Sequence, residues 1–190
     1  MFISHTVSFV KNAMGNVIRP GDAVIDATVG GGLDTLFLSK AVGPQGTVFG
    51  FDVQQHALDK AAQRLASEPA PDNVRLFLAG HETMAEHIPS RFHGSMAGAM
   101  FNLGYLPGSD QSVITRPAST CAAIDAALGL LRKGGVISTV LYTGHPGGED
   151  EARSVESHCA SLPMDTARIM RCTMHNQPTA QTRILFLEKR

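Results

Sequence analysis

The chain has 190 residues, 43% of them hydrophobic and 17% charged, so it carries enough apolar material for one core and excludes a disordered or fibrous chain. Its 16 Lys and Arg meet 17 Asp and Glu for a net charge of −1, which excludes wholesale phosphate-backbone binding by a basic surface and confines any nucleic-acid contact to a local patch. Cys121, Cys159 and Cys172 supply neither a disulfide framework nor a paired zinc site, no apolar run reaches about 18 residues, and no export signal is expected. A single cytoplasmic domain over residues 1–190 is expected.

Apolar runs punctuated by glycine and proline predict an α/β fold. Ala23-Val24-Ile25-Asp26-Ala27 follows a turn at residues 19–22 and stops at Gly30-Gly31-Gly32, as a buried parallel strand feeding a helix does. A second strand is expected over residues 46–51 with Asp52 at its end, then a helix over residues 55–66 with Leu58, Ala61, Ala62 and Leu65 on one face. Residues 74–78 read as a third strand ending at Gly80 and His81, and residues 97–101 as a fourth ending at Asn102. Cys121, Ile124, Leu128 and Leu131 fall at helical spacing, with Thr115 as the cap, Pro117 in the first turn and Gly134-Gly135 as the stop. A fifth strand over residues 136–142, a helix over 149–162 and a hairpin-like pair over 167–174 and 183–187 complete the order. The result is a mostly parallel, doubly wound sheet with a C-terminal antiparallel hairpin, whose ligands should bind beyond the carboxyl ends of the strands.

The residues from Asp26 to Gly32 read D-x-x-x-G-x-G at a strand-to-helix turn, and Asp52 ends the next strand. A dinucleotide fold wants a small residue where Thr35 stands, and a P-loop wants a lysine after its glycines. S-adenosylmethionine, with a ribose, an amino-acid end and a cationic sulfur, suits these residues better. Asp52 could accept both ribose hydroxyls, Gly30 to Gly32 could lie under the methionine part, and Asp26 or Asp34 could meet its ammonium directly or through water. Gly80 and His81 are placed to flank the adenine.

Beyond strand four, residues 101–110 (FNLGYLPGSD) concentrate polar and aromatic groups where an α/β enzyme places its chemistry. Asn102-Leu103-Gly104-Tyr105 is spaced like the N-P-P-Y motif of amine methyltransferases, without its prolines. In that motif the asparagine and backbone carbonyls accept the amine's hydrogens, and the aromatic ring packs on the target base. Methyl transfer needs an aligned neutral amine more than a strong base. His145, in the loop after strand five, could relay the amine's proton or orient the substrate. His81 and His87 lack metal-ligand spacing, so no metal is expected. Cys121, Met164, Met170 and Met174 read as packing, and Arg116, Arg132 and Lys133 as phosphate contacts or, for the last two, complements of a helix end.

The segments IDATVGGGLDTLFLSKAVG, GFDVQ, FNLGYLPGSDQSVITRPAST and YTGHPGGEDE together resemble the rRNA-methylase-like family of S-adenosylmethionine-dependent methyltransferases, from about Pro20 onward. The resemblance implies a Rossmann-like class I methyltransferase with S-adenosylmethionine as cofactor. It also implies a tRNA substrate, methylated on the aminomethyl nitrogen of a modified wobble uridine in the anticodon. It makes Asp34 the aspartate of the cofactor loop, puts Asp52 and Gln54 at the ribose and His81 beside the adenine, and places residues 102–110 and 142–149 at the chemistry. Asn102, Tyr105 and His145 are then the catalytic candidates, and Asp26, Thr28, Gly30, Gly32, Asp34, Thr35, Asp52, Gln54, Gly80 and His81 the cofactor set. The chain departs from the family at Gly31, where an asparagine is usual. A small-molecule N- or O-methyltransferase and a non-catalytic S-adenosylmethionine-binding protein remain alternatives, and the oligomeric state, a homodimer included, stays open.

Overall fold

The computed structural model describes residues 6–104, 115–177 and 181–190. In chain order the main elements are α1 (Thr6–Gly15), β1 (Ala23–Asp26), α2 (Leu33–Val42), β2 (Thr47–Asp52), α3 (Gln55–Ser67), β3 (Val74–Leu78), α4 (Met84–His87), β4 (Met96–Leu103), α5 (Pro117–Leu130), β5 (Leu131–Tyr142), α6 (Gly148–Ser161), β6 (Ala167–Cys172) and β7 (Thr182–Lys189). The strands form one sheet in the order β3-β2-β1-β4-β5-β7-β6. β1 to β5 run parallel, and β7 is antiparallel to both β5 and β6. This is the mostly parallel α/β sheet with a C-terminal antiparallel hairpin that the sequence pattern predicts.

Neighbouring residues of each central strand go to opposite faces, and both faces are covered. Ile25, Phe49 and Phe101 pack with Ile124 and Leu128 of α5 and Val155 of α6, while Val24, Val48 and Met100 pack with Leu38 and Val42 of α2. Because neither face meets water, these strands read as unbroken apolar runs rather than alternating ones. α1 has no counterpart in the sequence reading; Val10 and Met14, one turn apart, bury it against the second face.

Several expectations need correction. β5 starts at Leu131, directly after α5, so Gly134 and Gly135 lie inside the strand instead of ending the helix. They belong to a bulge: Met96 pairs with Leu131 and Gly98 with Val136, Gly134 has φ +75°, and a Cβ on Gly135 would stand 2.9 Å from the Arg132 carbonyl. Thr115 does not cap α5, because its hydroxyl donates to Glu151 (2.7 Å) on α6. Arg132 is held by Asp22 through two hydrogen bonds of 2.6 and 3.2 Å, and so is committed within the fold. Ala62 is exposed, and Cys121 is only half-buried beside the core. Met164 and Met170 are 87% and 56% exposed. Met170 lies on the outermost strand of its edge of the sheet, where Ile169 points into the core and its neighbour points away from it. Among the described residues no helix is long and apolar enough to cross a membrane, and no group of three metal-ligating side chains occurs.

Candidate active site

The carboxyl ends of β1, β2, β4 and β5 open onto a cavity of about 820 Å³, in the range of small-molecule sites. Its wall includes Thr28, Gly30, Asp34, Asp52, His81 and Asn102. The glycine bend between β1 and α2 builds one side. Gly30 and Gly32 have φ of +50° and +76°, conformations that a side chain would strain. A Cβ on Gly32 would stand 2.8 Å from the Ala61 Cα, so this glycine serves the approach of α3 and does not line the cavity. Gly31 borders open space, and its carbonyl accepts from Arg64 Nε (2.6 Å), a tie between residues 33 positions apart that no local pattern announces.

Asp52 stands at the tip of β2 with one carboxylate oxygen on the Gly30 N–H (2.8 Å) and the other on the Gln54 N–H (2.9 Å). Each oxygen keeps a second lone pair, so the carboxylate is aimed without being saturated. Gln54, Gly80 and the exposed Val53 line the same side. His81 is buried, and its Nδ1–H donates to the Ala27 carbonyl (3.2 Å), since a carbonyl only accepts. Burial lowers its pKa and holds the ring neutral.

Asp26 and Thr35 lie behind the bend. Asp26 is fully buried, accepts from the Thr35 hydroxyl (2.6 Å) and the Thr28 N–H (3.2 Å), and neither it nor Thr35 lines the cavity. Burial, reinforced by the negative charge of Asp34, pushes the Asp26 carboxyl up to about 7. Asp26, Thr35 and Gly32 thus stand behind the wall, which leaves Asp26 a water-mediated approach to a ligand's ammonium and not a direct one. Thr28 remains on the wall and accepts the Asn102 backbone N–H at its hydroxyl oxygen (2.7 Å).

Asn102, near the end of β4, lines the same cavity as Asp52. Its Nδ2 donates to Asp34, and its buried Oδ1 has no hydrogen-bond partner among the described residues. Asp34 is also paired with Lys11 of α1 at 2.8 Å. Lys11 went unseen because α1 did; the spacing of Val10 and Met14 was the signal that could have found it. Tyr142 lines the cavity, and burial together with the Asp34 charge raises its pKa, keeping its hydroxyl protonated. His145 also lines it; its Nδ1–H donates to the Pro146 carbonyl (3.0 Å), and its Nε2 lies against Gly148 and Gly104, where a Cβ would come within 2.8 and 3.4 Å. Tyr105 lies outside the described residues.

The mostly parallel sheet with β7 inserted antiparallel between β5 and β6, carrying a glycine bend after β1 and an acid at the tip of β2, is that of the Rossmann-like methyltransferases. The chain belongs to the family described as "Putative rRNA methylase", whose model matches residues 48–188. It is 38% identical over 182 residues, 92% of this chain, to the chloroplastic tRNA (mnm(5)s(2)U34)-methyltransferase of Arabidopsis thaliana, and spans 65% of that protein's length. A crystal structure titled a putative rRNA-methylase from Clostridium thermocellum superposes with a TM-score of 0.94 at 33% identity, each chain covered to 100%. A putative methyltransferase from Streptococcus mutans in complex with SAH gives 0.87 at 32% identity, covering 99% of each chain.

Proposed function

We propose that this protein, acting as one catalytic domain, transfers the methyl group of S-adenosylmethionine to the aminomethyl nitrogen of a modified wobble uridine in tRNA. When bound, S-adenosylmethionine supplies an electrophilic methyl carbon on a cationic sulfur. The cavity's donor set fits it: Asp52 keeps lone pairs for two ribose hydroxyls, the space beside Gly31 has no side chain in it, and Val53 with neutral His81 offers an uncharged wall to a base.

The observation that carries the reading is the Asn102 carbonyl oxygen, a buried acceptor that has no partner among the described residues, on a side chain that lines the same cavity. Leaving such an atom unpaired costs about 1–3 kcal/mol, and an amine N–H placed there would remove that cost. Held by its N–H, a neutral amine turns its lone pair along one direction, which is what in-line displacement needs. His145, whose Nδ1–H donates to the Pro146 carbonyl, would orient the substrate or relay the released proton, and Tyr105 would stack on the target base. Arg116, also on the wall, is a local cation for a flanking phosphate. The choice of tRNA is supported by the name of the Arabidopsis relative.

The test is incubation with labelled methyl donor and tRNA whose wobble uridine carries an unmethylated aminomethyl group, followed by digestion and nucleoside identification. Label is expected in the methylaminomethyl nucleoside. Label entering small amines but not tRNA would transfer the assignment to small-molecule substrates. Asn102→Ala should cut turnover by about 100-fold with donor affinity kept within about threefold, and normal turnover would remove Asn102 from the chemistry.

A further inference from the structure

The Asn102 amide has two orientations half a turn apart, and the one that the fold selects decides what its free end can do. Nδ2 donates to Asp34 Oδ2. In the flipped amide, Oδ1 would face a carboxylate that can only accept, so Asp34 holds the amide with Oδ1 as the end left for the site. Asp34 is itself fixed: its other oxygen takes the Lys11 ammonium at 2.8 Å, Lys11 also donates to the Leu33 carbonyl at 3.0 Å, and the Asp34 side chain is only 8% exposed. The backbone below is pinned by the Asn102 N–H on Thr28. With Lys11 on one oxygen and the Asn102 amide on the other, Asp34 is fixed in place and so can aim a neighbour.

We propose that Lys11 and Asp34 are positioning residues of the transfer step, locking the Asn102 amide so that its carbonyl oxygen, and not its NH₂, meets the acceptor nitrogen; the proposal rests on the methyl-transfer reading above. The distinction has chemical consequences. A carbonyl oxygen takes an N–H of the amine and leaves the nitrogen lone pair free. An NH₂ in its place would donate to that lone pair and occupy the electrons that form the new bond. A lone pair so occupied cannot attack, so a freely rotating amide would spend part of its time blocking the reaction. The device therefore selects acceptors that present an N–H beside an available lone pair, which a neutral amine does.

The experiment compares wild type, Asp34→Ala, Lys11→Met and Lys11→Arg by calorimetric titration with S-adenosylhomocysteine, by kcat and KM on the tRNA described above, and by hydrogen exchange of the Asn102 side-chain amide in ¹⁵N-asparagine-labelled protein. Asp34→Ala should lower kcat by about 100-fold and Lys11→Met by about 10-fold, with S-adenosylhomocysteine affinity unchanged within about threefold and Lys11→Arg restoring turnover. Amide exchange should quicken at least about tenfold in Asp34→Ala and Lys11→Met and stay slow in Lys11→Arg. Affinity falling in step with kcat would overturn the proposal and return Asp34 to the cofactor; an unchanged kcat in both variants would overturn it as well. If wild type transfers no methyl to tRNA, the functional reading fails, and amide exchange alone then decides: unchanged exchange in Lys11→Met and Asp34→Ala overturns the lock.

Discussion

Replacing Asp26 by Asn should change how the stability of the protein depends on pH. The Asp26 carboxyl is buried, and its pKa rises from 3.8 in the ordinary aspartate to about 7 in the fold, chiefly by desolvation. Between those two values the folded state keeps a proton that the unfolded chain has released, so stability falls as pH rises from the first to the second and levels off above it. About three pKa units at about 1.4 kcal/mol each make a total on the order of 4 kcal/mol, of which about 3 kcal/mol falls between about pH 5 and about pH 8. Asn has nearly the same shape: its Oδ1 can accept the Thr28 N–H, its Nδ2 can donate to the Thr35 oxygen, and it carries no charge. The chain has no Trp, so urea denaturation followed by far-ultraviolet circular dichroism at several pH values is the suitable assay. The gap in unfolding free energy between variant and wild type should widen in the variant's favour by about 3 kcal/mol from about pH 5 to about pH 8. Parallel curves would show that Asp26 titrates as an ordinary carboxylate and would refute the burial argument.

Asp52→Ala removes the acceptor of the Gly30 and Gln54 N–H groups together with the lone pairs facing the cavity. At about 1.5–3 kcal/mol per charge-assisted hydrogen bond, S-adenosylhomocysteine affinity should weaken by about 100-fold or more, and titration calorimetry giving an unchanged constant would count against the ribose assignment. Gly32→Ala places a Cβ 2.8 Å from the Ala61 Cα at φ +76°. The backbone conformation and the overpacking together should cost about 2–4 kcal/mol, seen as a lower urea midpoint, and a midpoint equal to wild type would mean that α3 moves aside freely.

The alternation of strands and helices, the glycine bend, the acid after the second strand and the C-terminal hairpin were legible because each depends on residues close together in the chain: a run of apolar side chains, a φ that favours glycine, a period of 3.6 or 2. The place of Asn102, a polar residue closing an apolar strand, was legible for the same reason. The chemical division among the aspartates was not legible. Asp26 and Asp34 both flank the glycines, yet one is sealed behind the bend by Thr35 while the other reaches the cavity wall and pairs with a lysine from α1. Arg132 looked available to phosphate until the fold brought it to Asp22, and Gly32 looked like a cofactor contact until α3 packed against it. Local pattern determined which elements form and where their polar ends gather. Which carboxylate is charged, which cation is already paired and which way an amide points were decided by partners distant in the chain, because hydrogen bonding and desolvation depend on separation in space and leave no periodic trace along the sequence.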